Sequence, residues 1–362
     1  MTEFSPSSLS DLEFALLNRF QRDFPLVSRP FAALAQELQS SEACVIEHLR
    51  RLQDAGVVSR VGAVFRPNAI GASALAALEV PGERIDSVAA AVSALGEVNH
   101  NYEREHRINL WFVVTAANRQ HLQDALRRIE QVANCGALLV LPLVEDYHID
   151  LGFDLAAPAH ERLGLCASTA PRTKHASQPV TLGDAERGLI AGLQDGLALA
   201  PMPFAQLGLP ESQALAVLAG WLDLGVIKRL GVIVRHHELG YGANAMVVWD
   251  VPDEQVSEVG RRMAATGRVT LCYRRNRQLP DWRYNLFCMI HGKDSREVSA
   301  RIAALADVCR LQDYPSDILF SRRRFKQRGA RYAPTLETAG GGERLRHRQP
   351  AARRVDPVRA PL

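Results

Sequence analysis

Gly56-Val57-Val58-Ser59-Arg60-Val61-Gly62 returns 169 residues later as Gly225-Val226-Ile227-Lys228-Arg229-Leu230-Gly231. Three further matches keep the same order. Pro30-Phe31-Ala32 upstream is echoed by Pro203-Phe204-Ala205, Tyr102-x-Arg104 by Tyr273-x-Arg275, and Asn109-Leu110-Trp111 by Asn285-Leu286-Phe287. Ordered self-similarity of this kind means one unit used twice. The copies fall near 11–155 and 182–330. Residues 156–181 carry Pro158, Pro171 and Pro179 among Ser, Thr and Ala, the composition of a linker. Gly340-Gly341-Gly342 and scattered Arg and Pro make 333–362 a basic disordered tail.

Each copy divides again. In residues 11–54 the stripe Phe14, Leu17, Phe20 marks a first helix. Pro30 opens a second, and Ser41 caps a third that stops near Gly56. Two β-rich pieces come next, 57–66 and 73–80, which completes a winged helix-turn-helix. The remainder reads β-α-β-β-α-β: strand 73–80, helix 84–95, strands 97–104 and 107–115, helix 118–131, strand 137–147. That order is ferredoxin-like. The second copy repeats it, with strands near 243–251, 268–275, 282–291 and 309–320. The fold class is therefore α+β. It comprises a winged helix-turn-helix at 11–66, a ferredoxin-like domain at 67–155, a linker at 156–181, and the same pair at 182–235 and 236–332, followed by the tail at 333–362. The copies are expected to pair within the chain as a pseudo-dimer; a homodimer of whole chains is allowed for.

Composition narrows the function. The chain has 362 residues, 47% hydrophobic and 23% charged, as in globular proteins. No apolar run is long enough to span a membrane, and residues 1–10 do not read as a secretory signal, so a cytoplasmic protein is expected. The net charge of +3 hides an asymmetry: residues 321–362 carry +9 and the rest −6. A mildly acidic body is unfavourable for phosphate-backbone binding. The third helix of the first copy opens Ser41-Glu42-Ala43-Cys44-Val45-Ile46-Glu47, without Arg or Lys. Its counterpart, Glu211 to Leu222, is apolar nearly all round, which fits burial against protein. DNA is not the expected partner. Cys44, Cys135, Cys166, Cys272, Cys288 and Cys309 contain no CxxC pair and read as reduced thiols. There is no GxGxxG, P-loop or HExxH, which argues against nucleotide cofactors and metallohydrolase chemistry.

The chemistry-bearing residues concentrate in two hairpins. The first runs from His100 to Phe112. On a strand, His100, Tyr102 and Arg104 share one face, with His106 in the turn and Trp111 on the return. Arg can hold carboxylates and His can shuttle protons. The second hairpin keeps Tyr273 and Arg275 at the matching places but has no His opposite His100. It is Arg-rich, with Arg274, Arg277 and Arg283. Arg66 and Arg235 occupy one repeat position after the wing. His236 and His237 are adjacent on a strand and cannot face one site together. His148 ends the last strand of the first copy, where it reads either as a metal or haem ligand or as a half-buried His. Arg322, Arg323 and Arg324 come after the equivalent strand of the second copy and are candidates for an anion pocket.

These hairpins resemble the siroheme decarboxylases, whose subunits are similar to the leucine-responsive/asparagine-regulator (Lrp/AsnC) family. The resemblance is carried by His100-Asn101-Tyr102-Glu103-Arg104-Glu105-His106 with Asn109 to Phe112, and by Trp282 to Gly292. Tyr147 to Phe153 also resembles the family's first-subunit ending. Coverage is about 11–330. Arg283 departs from the family pattern, where Pro is expected. The two-copy form resembles the fused enzyme of heme d1 biosynthesis in denitrification. The resemblance implies loss of carbon dioxide from two acetates of siroheme, giving 12,18-didecarboxysiroheme, with no cofactor beyond that iron tetrapyrrole. His100 and His106 would then protonate, with Tyr102 assisting. Arg104, Arg66, Tyr273, Arg274, Arg275, Trp282 and Arg235 would hold the substrate, and His148 is the candidate iron ligand. The alternative is a tetrapyrrole-responsive regulator of the same architecture.

Overall fold

The computed structural model describes residues 9–149, 152, 155 and 180–332. The first helical module contains α1 (Asp11–Arg19), α2 (Pro30–Glu37) and α3 (Glu42–Asp54). Pro30 is the first residue of α2, and the Ser41 hydroxyl accepts from Cys44 N to cap α3. Gly56 ends that module at φ 80°, which glycine adopts without strain. The second module has α6 (Asp184–Leu193) and α7 (Glu211–Asp223). Between them the expected second helix shrinks to a single 3-10 turn at Phe204–Gln206. Pro201, Pro203 and Pro210 crowd that stretch and remove backbone donors. Phe14 proves 37% exposed, while Leu17 and Phe20 are buried. In α7 one stripe is buried, Ala214, Leu218 and Trp221, rather than its whole circumference.

The wings do not form hairpins within their modules. Strand β1 (Val58–Phe65) pairs antiparallel with β6 (Ile227–Val234) of the other copy. Gly62 faces Gly231, Val61 faces Val232 and Ala63 faces Leu230. Each residue therefore meets the counterpart of its mirror position, and the repeated heptapeptides form one two-fold ribbon. Asn68, at φ 62°, turns the chain away after β1, and its Oδ1 accepts from Ser73 N at 2.8 Å. The strand that starts at Ala72 belongs to another sheet. The helices of both modules and the ribbon share a single apolar core, including Leu17, Phe31, Leu49, Phe204, Leu218 and Trp221.

The remaining strands are β2 (Ala72–Leu78), β3 (Val98–Arg104), β4 (Leu110–Ala116), β5 (Leu139–Ile149), β7 (Ala243–Trp249), β8 (Leu271–Arg275), β9 (Leu286–Gly292) and β10 (Ser316–Gln327). They close into an antiparallel barrel in the order β10-β3-β4-β2-β5-β8-β9-β7. Each copy supplies four neighbouring strands. The seams are β5 with β8 and β10 with β3, so each copy's free edges are covered by the other. The strand expected at 309–320 lies later. Helix α9 (Ser295–Cys309) is capped by Asp294 and buries Val298, Ile302, Leu305 and Cys309 along one face. It stops at Arg310, φ 51°, and β10 begins only at Ser316.

Alternation sorts the strand residues. Ala76, Leu78, Phe112 and Val114 point outward against α4 (Ile85–Ala94) and α5 (Arg119–Ala133). Leu286, Cys288 and Ile290 do the same against α8 (Val256–Ala265) and α9. Inside the barrel lie Leu75, Ala77, Trp111, Leu141, Met246, Tyr273, Trp282 and Phe287. The Asn of the repeated Asn-Leu-aromatic motif is structural. Asn109 bonds both the N–H and the carbonyl of Val80, and Asn285 those of Val251.

Candidate functional site

One end of the barrel is plugged by aromatics. Trp111 and Trp282 pack edge to face at 5.0 Å, with Tyr284 and Phe287 beside Trp282. The other end carries smaller side chains, Ser73, Val113, Thr115 and Leu143, and there a cavity of about 820 Å3 opens beneath the β1–β6 ribbon. That volume suits a large organic ligand. Its wall includes His100, Tyr273, Arg275, His148, Arg235, Arg60, Lys228, Arg229 and Arg328.

Much of this charge has no carboxylate against it. Among the described residues, no carboxylate forms an ion pair with Arg60, Arg235, Arg275 or Arg328. Arg60 bonds the Ala63 carbonyl at 3.1 Å, Arg275 bonds the Leu141 carbonyl at 2.6 Å and lies 4.6 Å from the Tyr273 ring, and the Nε atoms of both are buried with no acceptor. Burial pushes both guanidinium pKa values down, against a partial counter-effect from Asp195 and Tyr332 on Arg60 and from Tyr273 on Arg275. Partly buried cations without carboxylate partners are costly, and their chemistry suits an anionic ligand. Burial also pushes His100 down to about 4, with Arg60 adding repulsion. His100 is neutral in the unliganded protein at neutral pH.

The structure divides the residues expected to form one site. His100, Tyr273, Arg275, Arg235 and His148 line the cavity. Tyr102 and Arg104 continue from His100 along the inner face of β3. The rings of His100 and Tyr102 stack at 6.4 Å, and the Arg104 guanidinium lies 5.6 Å from the Tyr102 ring. Arg104 is buried, bonds the Leu319 carbonyl and sits about 13 Å along the strand from His100. His106 does not join His100. It lies beyond the opposite end of the barrel, where its ring meets Trp282 edge-on at 5.6 Å and its Nε2 is 3.4 Å from Asp317. Trp282 is likewise core, 2% exposed, rather than cavity lining. Arg66 is bound to Asp146 at 2.8 Å, a carboxylate it shares with Lys228. Arg274 pairs with Asp253 outside the barrel. Arg277 and Arg283 both clamp Asp250, and this shapes the turn where Arg283 replaces the expected Pro. Arg323 pairs with Glu103 and Asp86, and Arg324 with Glu238. The side chains of His236 and His237, and Cys166, Asp150, Leu151 and Phe153, lie outside the described residues.

Family models match as the structure divides. The AsnC-like ligand binding domain matches 69–148 and again 238–326, and the siroheme decarboxylase NirDL-like HTH domain matches 13–58. The chain is 43% identical over 330 residues to the siroheme decarboxylase NirDL subunit of Paracoccus denitrificans, covering 90% of this chain and 98% of that one. It belongs to the siroheme decarboxylase family. The family's members are carboxy-lyases. The NirD subunit of the siroheme decarboxylase of Pseudomonas aeruginosa is 49% identical over 150 residues, 41% of this chain and 99% of that protein. A crystal structure of the siroheme decarboxylase NirDL in co-complex with an iron-uroporphyrin III analogue superposes with a TM-score of 0.63. It is 28% identical and covers 89% of this chain and 93% of that one.

In this siroheme decarboxylase family member, sequence reasoning missed the ribbon's contribution. Arg60 and Arg229 sit inside the very heptapeptides that reveal the repeat, and Lys228 adjoins Arg229. Their recurrence was a usable signal. Arg328 and Tyr332 gave none, because they reach the cavity only through the path of the chain after β10. Of the described cysteines, Cys272, Cys288 and Cys309 have their thiol pKa values pushed up by burial, which keeps them as thiols. Among the described residues no three His, Cys, Asp or Glu side chains gather as a metal site, and no helix is long and apolar enough to cross a membrane.

Proposed function

We propose that this chain removes two acetate carboxylates from siroheme, yielding 12,18-didecarboxysiroheme for heme d1 biosynthesis, inside the cavity at the barrel mouth. The observation that carries the reading is the set of partly buried cations that form no ion pair with a described carboxylate, Arg60, Arg235, Arg275 and Arg328, around one cavity of about 820 Å3. Siroheme is a flat ring fringed with carboxylates. Guanidinium groups fit its rim, and Val113, Leu143, Leu271 and Tyr273 offer apolar surface to its face. The two copies act as a pseudo-dimer that builds one cavity, with the domain limits read from the sequence.

The chemistry follows from the charges. A carboxylate that leaves as carbon dioxide gives up the electron pair of its C–C bond to the methylene carbon, and the conjugated macrocycle spreads that charge. A proton must then form the new C–H bond. His100 is the proposed donor. Empty, it is neutral, with a pKa of about 4. A polyanionic substrate beside it favours the imidazolium, so the substrate loads its own acid. Tyr102, stacked on His100, holds the ring in place, and Arg104 supports Tyr102 from below. His106 takes no part. No organic cofactor or oxidant is required.

Anaerobic incubation with siroheme, followed by mass spectrometry of the extracted tetrapyrrole, tests the reading. Loss of two carbon dioxide masses is expected. Siroheme recovered unchanged, bound or unbound, overturns it.

A further inference from the structure

The floor of the cavity belongs mostly to one side of the barrel. The repeated motifs make Arg275 the counterpart of Arg104 and Met289 the counterpart of Val113. Strand register agrees: Val113 pairs with His100 and Met289 with Leu271, residues that stand two places before Tyr102 and Tyr273. Both arginines are held alike. Arg275 donates to the Leu141 carbonyl at 2.6 Å, and Arg104 to that of Leu319 at 3.0 Å. Each guanidinium lies over the tyrosine two residues before it, at 4.6 and 5.6 Å respectively. The barrel therefore contains two equivalent lobes. Arg275 and Val113 line the cavity, whereas Arg104 and Met289 do not. One lobe is open and its twin is closed.

The closed lobe is polar rather than an extension of the apolar core. Arg104 is 6% exposed, and among the described residues no carboxylate pairs with it. Its Nε has no hydrogen-bond partner there, and neither has the Oγ of Ser321, the residue that pairs with Arg104 across the seam. Both are donors, the chemistry that receives a carboxylate. What fills the lobe is Met289, whose sulfur lies 3.8 Å from Arg104 Nη2. At the ribbon end His291 stands where the open lobe has Thr115, but a bond with Thr270 at 2.9 Å fixes it. Met289 moves more readily, because its unbranched thioether chain turns easily. The shorter, β-branched Val113 of the open lobe leaves room beside Arg275.

Given siroheme decarboxylation in this cavity, on which the inference rests, we propose that Met289 is a specificity-determining plug. It closes a second carboxylate receptor around Arg104 and Ser321 and so confines the macrocycle to the Arg275 lobe. With both lobes open, a ring fringed with carboxylates would meet two near-identical receptors and bind in two orientations. With one closed, the acidic rim has a single anchor and the ring a single seating. No covalent step is assigned to Met289; it acts through the shape of the floor.

The probe is iron-uroporphyrin III, with binding followed by its visible absorption. Affinity is measured for wild type, for Arg275→Met, for Arg275→Met with Met289→Val, and for that pair with Arg104→Met added. Cooperative thermal unfolding checks that each variant is folded. Arg275→Met alone should weaken binding about 10-fold or more, the loss of one charge-assisted contact. Met289→Val should restore most of that loss by opening the twin lobe, and Arg104→Met should abolish the recovery. Met289→Ala opens the lobe further and should restore binding too, whereas Met289→Leu, close in volume, should not. The proposal is wrong if neither Met289→Val nor Met289→Ala restores binding to Arg275→Met, or if the recovery survives Arg104→Met. It is equally wrong if Arg275→Met binds as wild type does, because the open lobe would then not be the receptor. Any of these results with wild type still binding leaves the decarboxylation reading standing. Wild type that binds no iron-uroporphyrin III brings down that reading and this assignment with it.

Discussion

Burial decides the protonation of His100, and this gives the residue scale its clearest predictions. The folded value of about 4 lies below the ordinary 6.5. The unfolded chain thus binds a proton that the folded one refuses. Stability from this group is fully present above pH 6.5 and is lost as the pH falls toward 4. Thermal unfolding between pH 7 and 4.5 should show a steeper loss for wild type than for His100→Asn; parallel curves would refute the burial argument. When an anionic tetrapyrrole binds, His100 should gain a proton. Calorimetry at pH 6 in buffers of different ionisation enthalpy should register an uptake approaching one proton, reduced in His100→Asn. The buried guanidiniums obey the opposite trade. Arg275→Met removes a cation whose Nε has no acceptor, so the free protein should keep or raise its Tm. Siroheme binding should weaken about 10- to 100-fold, the loss of one charge-assisted contact of about 1.5–3 kcal/mol. A lower Tm with unchanged binding would place Arg275 in the framework instead. His106→Ala, at the plugged end, should retain turnover within about twofold, the ordinary scatter of a change outside the site; abolished activity in a folded variant would restore the paired-histidine acid.

At the scale of elements, the β1–β6 ribbon is the most constrained piece. A Cβ at Gly231 would lie 2.3 Å from the Gln21 carbonyl oxygen and 2.5 Å from that of Phe20, both backbone atoms that cannot step aside. Gly231→Ala should cost about 1–3 kcal/mol, as overpacking does, and disturb the cavity roof. Gly82→Ala, with nothing within 4 Å, is the control and should leave Tm unchanged. The elements also show where the sequence was readable. Helix caps and stops were legible because their signals are local: Ser41, Pro30 and Gly56 act on backbone groups a few residues away. The strand order of each half was legible because alternation and turn chemistry are local too. The partner of β1 was not. An apolar strand with one wing-like neighbour looks the same whether it pairs within its module or across the repeat. The early placement of the last strand failed for a similar reason. Val308, Cys309 and Leu311 have strand-like composition, yet the spacing of Val298, Ile302 and Leu305 carries α9 through Cys309.

For the whole molecule, the closed barrel makes the two copies interdependent. Alone, either half would expose two strand edges and part of the shared helical core. Cutting the chain within 156–179, through an inserted protease site, should leave both fragments copurifying, with decarboxylation retained. Separation of the fragments under native conditions would contradict the barrel seams. The sequence by itself determined the repeat, the α+β class, the order of elements within each copy, and the family. These rest on local periodicity and on motifs repeated in one chain. Only the tertiary structure decided that the wings join across the copies, that the sheets close edge to edge, and which charged residues share a cavity. His100 and His106 are six residues apart in sequence, yet the length of β3 and its turn carry them to opposite ends of the barrel. Arg60, Arg275 and Arg328 are far apart in sequence, yet they share one cavity because the ribbon strand β1, the barrel strand β8 and the chain after β10 all border it. Proximity along the chain is set by bond geometry. Proximity in the cavity is set by which edges and apolar faces must be buried, and that is a property of both copies together.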